Sequence, residues 1–247
     1  KINVVLPLTG DMRSFPADRF VFMATSMGTV KKTALDEFSN PRKGGIIAVN
    51  LDDGDYLIGA ALTDGKHDVM LFSDGGKAVR FDENDVRPLG RAARGVRGMM
   101  LEEGQSVIAM LVAEDETQSV LTATENGYGK RTSIVEYTRH GRGTKGMIAI
   151  QQSERNGKVV AATLVHADDE IMLITDKGVL VRTRVSEIRE LGRATQGVTL
   201  IALDEGSKLS GLQRIVENDA NVTDAEADGD AGSDSGGASS APEAPDA

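Results

Sequence analysis

The residues best placed to do chemistry are cations on glycine-rich loops. Arg87, Arg91, Arg94 and Arg97 fall within residues 87–98 with no acid among them. Smaller groups are Arg42 and Lys43, then Arg139, His140, Arg142 and Lys145, then Arg189, Arg193 and Gln196. Cations on a backbone that can approach closely are what a row of phosphates requires. One loop arginine is ordinarily just solvated. Four such loops at matched places describe a path.

A second set of bases is spaced differently. Lys32, Arg80, Arg131 and Arg182 are each followed five residues later by an acid: Glu37, Asp85, Glu136 and Glu187. That constancy predicts an ion pair inside each unit, although Arg131 stays a candidate for phosphate contact. Lys31 and Lys130 stand beside two of these bases. A strand's period of two turns them to the opposite face, where they are expected to be freer to meet phosphate. Tyr137 and Phe38 share one apolar slot and are expected in the core.

Catalysis finds no constellation. His67, His140 and His166 sit in no metal-ligand spacing, and the absence of Cys excludes thiolate zinc sites. The pairs Asp52-Asp53, Glu102-Glu103 and Asp204-Glu205 each precede a glycine, which suits turns better than general acid–base work. No Gly-x-x-x-x-Gly-Lys-Ser/Thr loop is present to hold ATP. No apolar run approaches a membrane span.

The elements that position these residues repeat. FVFMATSMG (20–28), VMLFSDGG (69–76), VLTATENG (120–127) and IMLITDKG (171–178) are four copies of a short apolar strand and its turn. After each copy comes a basic loop, then a strand expected to begin after Gly45, Gly98, Gly146 or Gly197, then another glycine turn and an apolar strand. Runs of Val, Ile and Leu bounded by Gly, Asp and Asn are strands, although 83–90 and 185–191 admit a helical turn. Repeats near 50 residues with about four strands each predict an all-β, propeller-like stack of small sheets, with units at about 20–68, 69–119, 120–170 and 171–216. Residues 1–19 read as the end of a truncated unit. WD40 and kelch repeats lean on aromatic signatures, whereas this chain has no Trp and only 4% aromatics.

The segments TENGYGKRTSIVEY (124–137), ITDKGVLVRTRVSEI (174–188), FMATSMGTVKKTALDEF (22–38) and GRATQGV (192–198) resemble the C-terminal domain of the A subunit of DNA gyrase, across residues 1–216. The resemblance implies a β-pinwheel, a disc whose blades exchange strands. It implies duplex DNA wrapped around a basic rim, enabling ATP-dependent negative supercoiling by the holoenzyme. It also implies a cytoplasmic, nucleoid-associated setting, with the B subunit of gyrase and the N-terminal part of its A subunit as partners. ATP and Mg²⁺ would serve the holoenzyme, and no cofactor or catalytic residue is expected in this chain, which should be monomeric alone. The family's basic heptapeptide, Gln-Arg-Arg-Gly-Gly-Lys-Gly, is missing; its nearest echo is His140–Gly146. Topoisomerase IV, whose equivalent domain is related, and a protein-binding propeller scaffold are the alternatives.

Charge is unevenly spread. The formal net charge is −10, yet residues 217–247 carry nine acids and no Lys or Arg. A nearly neutral body therefore precedes an acidic tail, expected to be disordered. Such a tail is expected to compete with DNA for the basic rim.

Overall fold

The computed structural model describes residues 2–8 and 15–216; the acidic tail lies outside them. Lys1–Ile215 form one compact unit. The expected all-β architecture is present as four antiparallel sheets, each built around a hairpin. The first contains β1 (Phe20–Thr25), β2 (Thr29–Ala34), β3 (Leu57–Thr63) and β6 (Val96–Arg97), in the order β3-β1-β2-β6. The second contains β4 (Asp68–Ser73), β5 (Lys77–Asp82), β7 (Val107–Ala113) and β10 (Met147–Ile148), in the order β10-β5-β4-β7. The third contains β8 (Ser119–Thr124), β9 (Tyr128–Ser133), β11 (Val159–Val165) and β14 (Val198–Thr199), in the order β11-β8-β9-β14. The fourth has three strands, β12 (Glu170–Thr175), β13 (Leu180–Arg184) and β15 (Leu209–Ile215).

In the first three sheets the outermost strand is supplied by the next repeat. Val96 pairs with Val30, Met147 with Ala78 and Val198 with Gly129. Each donated strand is two residues long and follows a left-handed glycine: Gly95 (φ +104°), Gly146 (+75°) and Gly197 (+80°). The strand of the second repeat thus begins after Gly95, not Gly98. An added Cβ on these glycines would meet the receiving strand, at 2.5 Å from the Val30 carbonyl, 2.3 Å from Ala78 and 2.6 Å from Gly129. Glycine is required because two backbones touch there.

Alternation explains the core. Val69 and Leu71 of β4 pack with Phe22, Val30, Val79 and Phe81, between the first and second sheets. Their neighbours Met70 and Phe72 pack with Val120, Ile134 and Tyr137, between the second and third. All six β4 residues are buried, because one strand serves two cores. Leu121 and Ala123 meet Ile171 and Leu173 in the same way. Tyr137 is buried, its ring edge-on to Phe72 at 5.9 Å, whereas Phe38 is half-buried. Consecutive sheets also touch through β3, β7, β11 and β15 in succession. A 3-10 turn follows each hairpin, at Leu35–Phe38, Glu83–Asp85, Ile134–Glu136 and Val185–Glu187. The acid pairs do form turns: Asp55 N–H donates to the Asp52 carbonyl, Gln105 to Glu102 and Ser207 to Asp204, at 2.9–3.1 Å.

Candidate nucleic-acid interface

The donated strands fix where the basic loops lie, since each loop runs directly into one. Leu89, His140 and Leu191 start the loops by donating N–H bonds to the carbonyls of Lys32, Arg80 and Arg131, at 2.7, 2.8 and 2.9 Å. Arg91, Arg142 and Arg193 follow two residues later. Their Nη1 groups donate to the Ile47, Arg97 and Ile148 carbonyls, at 3.0, 3.0 and 2.7 Å. These arginines are spaced 51 residues apart and bond each loop to the repeat before it. Loop position alone would turn them toward phosphate, but their guanidinium groups are engaged within the protein.

Lys31 and Lys130 correct the expectation further. Both are fully buried, at 1% and 0% exposure. The face opposite Lys32 and Arg131 is covered by the next repeat's loop. Lys31 Nζ donates to the carbonyls of Ala48 (2.7 Å) and Arg91. Lys130 Nζ donates to those of Gly192 and Arg193, each at 2.5 Å. Burial pushes the Lys130 ammonium down to about 8, opposed by Glu136 and assisted by Arg193. Burial also lowers Lys31.

Lys32, Arg80 and Arg131 find their partners elsewhere than at the acid five residues later. Lys32 pairs with Glu83 of the next repeat at 2.8 Å and lies 4.3 Å over the Phe20 ring. Arg80 pairs with Asp68 at 2.8 Å, and Arg182 pairs with Glu170. Arg131 Nε donates to the Ile188 carbonyl at 2.8 Å. Glu37 and Glu136 instead accept the backbone N–H of Arg91 and Arg193, both at 3.0 Å. Arg139 is tied to Asp68 at 2.8 Å and Asp82 at 3.4 Å.

The remaining candidates face solvent. Arg42, Lys43, Arg87, Arg97, Lys145 and Arg189 are exposed, and their side chains make no hydrogen bond or ion pair among the described residues. Arg94 pairs with Asp52 at 2.9 Å, but both are more than half exposed, so the pair holds weakly. Arg87 and Arg189 each stand eight residues before a left-handed glycine, and Arg94 and Lys145 one residue before. These loops can present charge to a polyanion without base-reading geometry.

One contact has no signal in the sequence: exposed Arg155 lies over the Tyr128 ring at 4.5 Å and lowers the tyrosine's pKa. Nothing in the local spacing marks it, because a turn of the fold separates the two. His67 is also less isolated than its sequence suggests. Its Nδ1 lies 2.9 Å from Asp64, and Glu83 completes a trio of ligating groups. Arg19 and Lys32 already neutralise the two acids, so the trio is an ion-pair network.

The family described as DNA gyrase C-terminal domain, beta-propeller, matches at residues 19–64, 67–114, 118–166 and 169–215. The A subunit of DNA gyrase from Pseudomonas aeruginosa is 53% identical over 209 residues, covering 85% of this chain and 22% of that protein. The Escherichia coli K12 protein of the same name is 52% identical over 217 residues, covering 88% and 24%. This chain therefore spans about a quarter of the length of these relatives. Among solved structures, a DNA gyrase A C-terminal domain superposes with a TM-score of 0.74 at 28% identity, covering 82% of this chain and 68% of the other. A DNA topoisomerase IV C-terminal domain gives 0.78 at 25%, covering 82% and 63%. Three strands of each sheet thus fall within one matched segment, the fourth strand of the first three sheets coming from the next, and the chain belongs to the DNA gyrase C-terminal domain family.

Proposed function

We propose that this chain binds and bends duplex DNA without reading its sequence, and wraps it chirally as part of a gyrase holoenzyme. The observation that supports this most is that each of the four corresponding loops carries exposed cations with no side-chain partner among the described residues: Arg42 and Lys43, Arg87 and Arg97, Lys145, and Arg189, of which Arg87 and Arg189 share one position. Phosphate neutralisation releases counterions, so log K falls with log salt by about 0.9 per contact. Bending a 20–30 bp site by 40–90° costs roughly 1–6 kcal/mol. Several such contacts offset that cost at low salt and lose ground as salt rises. Membership of the gyrase family supports the holoenzyme setting, where the N-terminal part of the A subunit, with the B subunit, supplies ATP use and strand passage. The gyrase setting is preferred to topoisomerase IV because the relatives over half identical are gyrase proteins.

The test is to bind the chain to nicked circular plasmid, ligate, remove protein and read the linking number. A shift that grows with protein and fades with salt is expected. Arg87→Ala, Arg97→Ala, Lys145→Ala and Arg189→Ala combined should reduce the salt slope by about 3–4. An unchanged slope in that variant would remove these residues from the interface, and no duplex binding at low salt would end the DNA reading.

A further inference from the structure

The outermost strand pair of the first three sheets repeats one geometry, and each carries a cation at the same register. Thr29 pairs with Arg97, Lys77 with Ile148 and Tyr128 with Thr199. Directly opposed residues of an antiparallel pair turn their side chains to the same face. Thr29, Lys77 and Tyr128 are partly exposed, and the residues after them, Val30, Ala78 and Gly129, are buried. In the first sheet the cation is Arg97, on the donated strand. In the second it is Lys77, on the receiving strand, whose ammonium makes no hydrogen bond or ion pair among the described residues. The third sheet has Thr199 where the first has Arg97, and Tyr128 where the second has Lys77. Its cation arrives from another turn: Arg155 lies over the Tyr128 ring at 4.5 Å.

The place of Arg155 is built. The segment Gly146–Gly157 is longer than its counterparts Gly45–Gly54, Gly98–Gly104 and Gly197–Gly206. Asn156 within it is fully buried, and its Nδ2 donates to the Gln151 and Gln196 carbonyls at 2.9 and 3.1 Å. Asn126 Nδ2 donates to the Glu154 and Arg155 carbonyls at 3.2 and 3.1 Å. Gln151 N–H donates to the Thr195 carbonyl at 2.9 Å. The turn is thus fastened both to the hairpin that carries Tyr128 and to the end of the fourth basic loop. Arg155 is exposed and makes no ion pair among the described residues; Glu154 beside it is exposed too. The arginine lowers the Tyr128 phenol, through hydrogen bonding first and through its charge as well. A guanidinium resting on a ring uses its flat face there and keeps the donors around its edge for an anion.

We propose that Arg155, held flat by Tyr128, binds a backbone phosphate of duplex DNA, and that Lys77 does the same one sheet earlier. With Arg97 they make one phosphate contact on the outer strand pair of each of these sheets, beside the basic loops. The inference rests on the reading that the chain binds duplex DNA. Tyr128 is a positioning residue here: its ring is covered by the arginine and is not a platform for a base. A contact fixed by strand register recurs from sheet to sheet even where the side chain that supplies it differs.

The test is the salt dependence of duplex binding. Arg155→Ala and Lys77→Ala should each lower the slope by about 0.9, and the double variant by about 1.8. Arg155→Lys keeps the charge and should restore the slope. Tyr128→Leu should weaken binding at low salt roughly two- to fivefold, because the ring beneath the guanidinium is gone. Melting of Arg155→Ala should match the parent. Nitration with tetranitromethane, mapped by peptide, reads the contact in the unaltered chain. Tyr128 should react when the chain is free and be shielded by duplex at low salt. Tyr56, exposed beside the strand at the opposite edge of the first sheet, should react equally in both. Suppose the parent binds duplex but Arg155→Ala keeps the slope, or Tyr128 reacts as fast in the complex as alone. Either result overturns this contact and leaves the DNA reading standing. A parent chain that binds no duplex at low salt overturns both.

Discussion

Lys130 is a cation held by two carbonyl oxygens where water is scarce. Its folded-state pKa, about 8, lies below the unfolded value of 10.5. Between those values the unfolded chain binds more protons, so stability should rise with pH from about 8 to about 10.5. Chemical denaturation across that window should show the rise, and Lys130→Met should flatten it relative to the parent. Arg193 and Arg189 make a second comparison. Arg193 bonds the Ile148 carbonyl, so Arg193→Ala should cost roughly 1.5–3 kcal/mol of stability and leave the salt slope of DNA binding unchanged. Arg189→Ala should do the reverse, lowering the slope by about 0.9 with little effect on melting. The sequence shows which way Lys31 and Lys130 point but not what covers that face. The covering loop comes from 60 or more residues downstream.

At the scale of the strand, the hairpin glycines differ by what passes over them. Gly76 faces the Ile150 carbonyl, while Gly178 faces open space. Gly178→Ala should cost only the left-handed penalty, roughly 1–2 kcal/mol. Gly76→Ala should cost more, because the Ile150 backbone must also move, and paired melting curves would order the two. The hairpins and their repeat are legible because apolar runs and glycine turns are local signals. The donated strands are harder to place. Two residues carry little pattern, and both Gly95 and Gly98 stand near the right position; the left-handed φ of Gly95 and the pairing of Val96 with Val30 distinguish them. The loops are legible as basic. Their division into bonded and free arginines is not, although the 51-residue spacing of Gly90-Arg91, Gly141-Arg142 and Gly192-Arg193 marks the bonded set.

Across the whole molecule, stability is distributed over joints rather than held in one core. Phe72 lies between the second and third sheets, so Phe72→Ala should cost roughly 3–5 kcal/mol there. Nearest-neighbour coupling confines the damage. Hydrogen exchange should quicken in β4, β5, β8 and β9 and change least in β12, β13 and β15. A uniform loss of protection would instead indicate one cooperative block. Sheet sharing also has a consequence in time. The first sheet has three of its strands once Thr63 is made, but lacks the fourth until Arg97 has emerged. At 5–20 residues per second, that wait is about 2–7 s. During it the Thr29–Val30 edge is an open strand on a nascent chain, and each later repeat releases its predecessor from that hazard.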